Sequence, residues 1–245
     1  MITFPVLILF GCITQYLAEA SSPYTEVSLG TTLVAVTFRD GVVVGADTRT
    51  SVGTYVSNRY ADKIAPILPN VVIARSGSAA DTQHLANQAR IEFQARRYRF
   101  GSMTTSVRQI AFFLRSLITD SMSAGLICAG YEEGSGCIYS IAPNGSIEKE
   151  VDGFAVGGSG STYILGHIDE NFRMDMTEEE ATEFVVRALR LAMDRDGSSG
   201  GFSRIHVVDA KGSKVFSVYP ENPNMDSNRE VTLKGFAPSK RDCNK

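Results

Sequence analysis

The stretch TTLVAVTFRDGVVVGADTR, residues 31–49, decides how the rest of the chain is read. Thr32 to Phe38 form one run of strand-forming residues, Arg39-Asp40-Gly41 supply turn chemistry, and Val42 to Ala46 form a second run. Two valine-rich runs around an Asp-Gly turn predict an antiparallel hairpin. Gly30 and the hydroxyl residues Thr31 and Thr32 stand where an N-terminal leader gives way to this hairpin. A small flexible residue before a strand ordinarily marks a turn. It is also a place where a cut would uncover a threonine bearing a hydroxyl and a free α-amine. Spacing alone favours the turn.

Outward from the hairpin, Lys63 to Leu68 and Val71 to Arg75 read as two short strands split by Pro69-Asn70. The period then lengthens. Ala79 to Arg99 is helical, and so is Thr104 to Met122, where Val107, Ile110, Ala111, Leu114, Leu117 and Ile118 share one face. Strands return at Leu126–Tyr131, Ile138–Ala142 and Ser146–Val151, the last two joined through Pro143-Asn144-Gly145. A glycine-rich break at Gly157–Ser161 leads into a short helix. Thr177-Glu178-Glu179-Glu180 is a capping box opening a helix that buries Ala181, Phe184, Val185, Ala188 and Ala192. Arg204–Asp209 and Lys214–Tyr219 make a final hairpin around Lys211-Gly212.

Strands, two helices, strands, helices and strands again fit neither strict βαβ alternation nor an all-β pattern. The order predicts an α+β fold, a four-layer αββα sandwich of two antiparallel sheets with helices on both outer sides. No linker interrupts the chain, so one domain is expected over residues 31–222, after a leader at 1–30 and before a polar tail at 223–245.

Composition narrows the function classes. With 43% hydrophobic and 21% charged residues among 245, and a net charge of −3, no global charge attracts nucleic acid. The four cysteines, Cys12, Cys128, Cys137 and Cys243, lack metal-type spacing and read as free thiols in a reducing compartment. The leader has an apolar run from Ile2 to Ile13, too short to span a membrane. It reads as a secretory signal without the usual leading positive charge, or as a hydrophobic propeptide. Asn144-Gly145-Ser146 is an acceptor for glycan only in a secreted chain, and more simply a turn.

Catalytic candidates are few. His84, His167 and His206 stand in no metal-binding spacing, which leaves them structural. Gly197-Ser198-Ser199-Gly200-Gly201 has the letters of a nucleophile elbow, but a helix precedes it and a strand follows, the reverse of what that motif requires. The Gly157–Gly160 stretch is a weak phosphate-loop signal without the companion lysine. Thr31 offers a different chemistry, because an α-amine titrates near about 7.7–8.0 and can serve as the base for its own hydroxyl. Asp47 ends one apolar strand and Lys63 opens another, so both can point into a cleft beside Thr31. A cation buried there needs a partner, and Asp47 can provide it.

The segments TTLVAVTFRDGVVVGADTRTSVGTYVSNRYADKI, ARSGSAADTQ, AVGGSGSTYILGHID and AMDRDGSSGG resemble a catalytic β subunit of the proteasome, an N-terminal-nucleophile hydrolase, from about Gly30 to Tyr219. The resemblance implies that Thr31 is a nucleophile freed by self-cleavage after Gly30. It implies that Asp47 holds the lysine and the Thr31 backbone, and that Lys63 lowers the hydroxyl pKa. Ser159, Asp196 and Ser199 would orient the α-amine and a water, and the Gly77 N–H would face the oxyanion. Arg75 resembles the pocket residue of the caspase-like, post-acidic type, with Thr50, Ser51, Ala61, Ala65 and Ala79 around the same cleft. Ser51 and Ala79 would pair with extended substrate through backbone groups. No cofactor or metal is implied. The implied partners are α and other β subunits in stacked rings and unfolded polypeptide, in cytoplasm and nucleus, without nucleic acid or membrane contact by the mature form. The alternative within the family is a non-catalytic scaffold subunit.

Overall fold

A computed structural model describes residues 30–100 and 105–219. Most of the leader, the tail at 223–245, Cys12 and Cys243 lie outside the described residues. The strands are β1 (Leu33–Phe38), β2 (Gly41–Ala46), β3 (Thr50–Val52), β4 (Tyr55–Asn58), β5 (Ile64–Leu68), β6 (Val71–Gly77), β7 (Ala124–Glu132), β8 (Ser135–Ile141), β9 (Ile147–Lys149), β10 (Phe154–Gly157), β11 (Ser203–Asp209) and β12 (Gly212–Val218). The helices are α1 (Ala79–Phe100), α2 (Val107–Leu117), α3 (Leu165–Asn171) and α4 (Glu178–Arg195), with a 3₁₀ turn at Ser159–Tyr163 before α3.

One antiparallel sheet has the order β10-β1-β2-β11-β12, the other β5-β6-β7-β8-β9, and β3-β4 form a separate ribbon. The α+β sandwich of two helix-flanked antiparallel sheets is therefore the fold of this chain. In β1, Val34, Val36 and Phe38 join α4 residues in an outer core, while Leu33 and Ala35 join Ile64, Val72 and Ile127 between the sheets. Both faces are buried, so the strand reads as a continuous apolar run rather than an alternation. On the other outer side, α1 and α2 bury Leu85, Phe93, Ile110 and Leu114 against Val71, Ile73 and Cys128.

Helix α2 is shorter than the Thr104–Met122 that periodicity predicts. Ser106 caps it by accepting from Gln109 N at 3.1 Å while Gln109 Oε1 accepts from Ser106 N, so the first turn is fixed there. At the other end Ile118 has extended backbone, and its side chain still packs on the core. The α4 capping box forms as expected, Glu180 N donating to Thr177 Oγ1 and Thr177 N to Glu180 Oε2. Asn144 sits in a tight turn, its Oδ1 accepting from Ser146 N at 3.0 Å. Three strands are absent from the sequence reading. The β3–β4 ribbon is short and largely polar, and β10 becomes a strand through pairing with β1, Leu33 opposite Gly157.

Candidate active site

Four chain segments meet at one end of the sandwich. The start of β1 brings Thr31 and Thr32, the end of β2 brings Asp47, the residue before β5 is Lys63, and the turn after α4 brings Asp196 and Ser199. The 3₁₀ turn after β10 adds Ser159.

Asp47 is fully buried and every lone-pair direction is used. Its Oδ1 accepts from Lys63 Nζ at 2.7 Å and from Thr32 N at 2.9 Å, and its Oδ2 accepts from Gly200 N at 3.0 Å and Arg49 N at 3.2 Å. The backbone it holds is that of Thr32, one residue beyond the Thr31 expected from resemblance. Because Thr31 precedes the first residue of β1, anchoring Thr32 leaves the Thr31 amide free for another partner. Burial pulls the Lys63 ammonium below the ordinary lysine range, and Asp47 pulls it back. Pairing with Asp47 offsets part of the cost of burying the lysine.

Lys63 Nζ also donates to Thr31 Oγ1 and to the Gly30 carbonyl, both at 3.0 Å. Thr31 Oγ1 in turn donates to Gly30 O at 2.7 Å. Hydroxyl, ammonium and the preceding carbonyl thus form one closed triangle around the Gly30–Thr31 peptide. A Cβ on Gly30 would overlap Ser198, so the chain can pass here only as glycine.

On the other side, Thr31 N donates to Ser159 Oγ at 3.3 Å, and Ser159 Oγ donates to Asp196 Oδ2 at 2.8 Å. Ser199 Oγ donates to the same Oδ2 at 2.6 Å and lies 2.8 Å from Thr32 Oγ1. Burial works against the ionised form of Asp196. Hydrogen bonds from Ser199, Ser198 and Ser159 outweigh it and hold the carboxyl below the usual aspartate range. The three residues named from the sequence therefore form one chain ending at Thr31 N.

A cleft of about 210 Å³ opens beside Thr31 and is lined by Thr50, Ala61, Lys63, Arg75, Gly77 and Ala79, with Asp62 and Thr82. Gly77 turns the strand end at a φ of 92°, and a Cβ there would meet the Ser123 carbonyl. The cleft leaves out two predicted residues. Ala65 packs into the core with residues of α1, and Ser51 is buried in the β3–β4 ribbon, so neither is among the residues that line the cleft. Arg75 Nη2 donates to the Asp62 carbonyl at 2.5 Å, and burial lowers its pKa from the ordinary arginine value.

Several members of the site are absent from the sequence reading. Arg49 Nη1 donates to the carbonyls of Gly197 and Ser199 and clamps the turn that carries Ser199. Thr32 and Asp62 also contribute, and only "GADTR" held a signal for any of these, the Arg49 two residues after Asp47. Among the described residues no group of His, Cys, Asp and Glu could hold a metal ion, and no helix is long and apolar enough to cross a membrane.

A family model described as proteasome subunit matches residues 27–208. The chain is 43% identical over 204 residues to "Probable proteasome subunit beta type-1" of Schizosaccharomyces pombe, covering 81% of this chain and 89% of the relative. It is 40% identical over 200 residues to "Proteasome subunit beta type-1" of Saccharomyces cerevisiae, with 80% and 91% covered. Against "Proteasome subunit beta type-6" of Dictyostelium discoideum it is 41% identical over 190 residues, with 76% and 87% covered. A buried threonine–lysine–aspartate site in a helix-flanked double sheet, with matches of this length to β-type subunits, places the chain in the proteasome subunit family.

Proposed function

We propose that the chain is a threonine-type endopeptidase subunit of the proteasome core particle, made as a zymogen that frees Thr31 by self-cleavage and then cuts peptides after acidic residues. The observation that carries this reading is the triangle of Thr31 Oγ1, Lys63 Nζ and Gly30 O, with sides of 2.7 to 3.0 Å. In the precursor, Oγ1 attacks the Gly30 carbonyl carbon through a five-membered ring. Negative charge builds on Gly30 O, where the Lys63 ammonium already donates a hydrogen bond. The Gly30–Thr31 C–N bond breaks, the amine takes a proton, and the acyl group is left as an ester on Oγ1. Water then hydrolyses that ester and releases the leader.

The freed α-amine inherits the position of Thr31 N, beside Ser159 and its link to Asp196. At about pKa 7.7–8.0 it is in part neutral at physiological pH and accepts the Oγ1 proton as the hydroxyl attacks a substrate carbonyl. Lys63 keeps the hydroxyl's developing charge low. In the cleft, the Arg75 guanidinium supports binding of an Asp or Glu side chain before the scissile bond, through charge-assisted hydrogen bonds. Family membership implies assembly with other proteasome subunits; the working form is taken as a stacked ring of α and β chains acting on unfolded polypeptide in cytoplasm and nucleus.

N-terminal sequencing of the chain from assembled particles tests the reading directly. A mature start at Thr31 is expected, and Thr31→Ala should retain residue 30 and abolish hydrolysis of acidic reporter peptides at this subunit. An unprocessed chain whose peptide hydrolysis is indifferent to Thr31→Ala would make it a scaffold subunit.

A further inference from the structure

The cleft beside Thr31 contains two cations and one carboxylate, Lys63, Arg75 and Asp62. An acidic side chain entering it meets attraction and repulsion together, so the internal pairing of these charges decides the outcome. Lys63 is matched by Asp47 at 2.7 Å. Arg75 makes no ion pair among the described residues; its Nη2 donates to the main-chain carbonyl of Asp62, and its buried Nε has no hydrogen-bond partner. The Asp62 carboxylate is directed elsewhere. Its Oδ2 accepts from Arg204 Nη1 at 3.1 Å, and its Oδ1 accepts from Ile64 N at 3.2 Å at the start of β5.

Arg204 belongs to β11, in the opposite sheet, and lies outside the cleft lining. Its guanidinium stands 5.6 Å from the centre of the Phe202 ring, which fixes the direction from which it reaches Asp62. The Arg204 side chain is 20% exposed against 52% for Asp62, so the arginine is the fixed member and the aspartate the one free to swing. Among the described residues, Arg204 is the cation within ion-pair distance of the Asp62 carboxylate, and Arg75 reaches only the Asp62 main-chain carbonyl.

We infer that Arg204 is a positioning residue for substrate selection: by holding the Asp62 carboxylate away from Arg75, it leaves Arg75 as the uncommitted cation of the cleft. The inference rests on the post-acidic reading above. Without Arg204, Asp62 turns to Arg75 and competes with the acidic side chain of the substrate.

The test uses assembled particles and two reporter peptides that differ only in Asp or Leu before the scissile bond. Arg204→Met should lower the Asp-over-Leu ratio in kcat/KM by about tenfold, the scale of one charge contact in a half-screened site. The change should fall on KM for the Asp peptide, with kcat retained. Arg204→Lys keeps the charge and should keep the ratio. Combining Arg204→Met with Asp62→Asn should restore the ratio, since no carboxylate remains to compete. A merely structural Arg204 predicts the opposite, a double variant as impaired as the single one, and that result overturns the inference. Should Arg204→Met fail to assemble, Asp62→Asn alone decides: a ratio held or raised supports the inference, and a fall overturns it. If the unaltered particle prefers Leu, the post-acidic reading fails and this inference with it. If it prefers Asp and loses that preference on Arg75→Leu, but not on Arg204→Met, only the role of Arg204 falls.

Discussion

Lys63 and Arg75 are neighbours across the β5–β6 hairpin, joined by a main-chain hydrogen bond from Arg75 N to Lys63 O at 2.9 Å. The chain treats these two cations in opposite ways. Lys63 is enclosed, with a carboxylate at 2.7 Å and two further acceptors on Thr31 and Gly30. Arg75 has one carbonyl and an unpartnered buried Nε. A buried charge without a counter-charge is costly. The contrast separates a cation matched within the chain from one left without a counter-charge, the feature on which the proposed contact with an acidic substrate side chain rests.

The largest break in that comparison is Lys63→Met. It removes the charge at the Thr31 hydroxyl and the Gly30 carbonyl, and it strands a fully buried Asp47. Self-cleavage and turnover should both fall by roughly 10³-fold or more, the usual scale for losing a group that stabilises developing charge. The fraction of chains beginning at Thr31 and the rate on an acidic reporter read the two effects separately. Near-normal processing in this variant would show that Lys63 serves turnover alone.

Arg75→Leu should be gentler and selective. Loss of a charge-assisted contact of about 2 kcal/mol lowers kcat/KM for an acidic peptide roughly 30-fold and leaves an apolar peptide nearly unaffected. An equal loss on both peptides would mean that Arg75 supports the cleft wall rather than the substrate.

The smallest effect concerns what lies behind the Arg204–Asp62 pair. His206 is buried on β11 with neither ring nitrogen bonded, and burial pushes its pKa down to about 4, with Asp62 opposing and Arg204 adding to the shift. The folded chain therefore keeps a neutral imidazole where the unfolded chain, at 6.5, takes up a proton. Stability is complete above pH 6.5 and declines as pH falls toward 4, by up to about 3 kcal/mol. His206→Leu should flatten this decline, seen in melting temperatures at pH 7.5 and pH 4.5. An unchanged pH dependence would place the acid sensitivity elsewhere.

Much of the site was legible in the residues. Asp47 follows an apolar strand and Lys63 precedes one, so their meeting could be argued from strand ends alone, and the structure pairs them. Ser159, Asp196 and Ser199 were reachable through motif resemblance, and they meet on one carboxylate oxygen. The Arg204–Asp62 pair was not legible, because 142 residues separate its members. Strand β10 was hidden for a similar reason. Its four residues end in glycine, and only the free edge of β1 makes them a strand. Ala65 and Ser51 fall outside the cleft lining because the packing under α1 and within the β3–β4 ribbon buries them, which motif matching does not carry.

Read by itself, the chain determined the order of its elements, the apolar runs that demand burial on two faces, and a Gly-Thr border with a lysine and an aspartate within reach. These are local properties, set by residue type and period. Tertiary structure alone decided that Asp47 anchors Thr32, that the Thr31 hydroxyl rests against the carbonyl of Gly30, and that Asp62 turns toward one arginine while its carbonyl serves another. Each of those depends on angles and distances between strands far apart in the chain. Hydrogen bonds and ion pairs weaken steeply with departure from such geometry, so only packing of the two sheets could settle them.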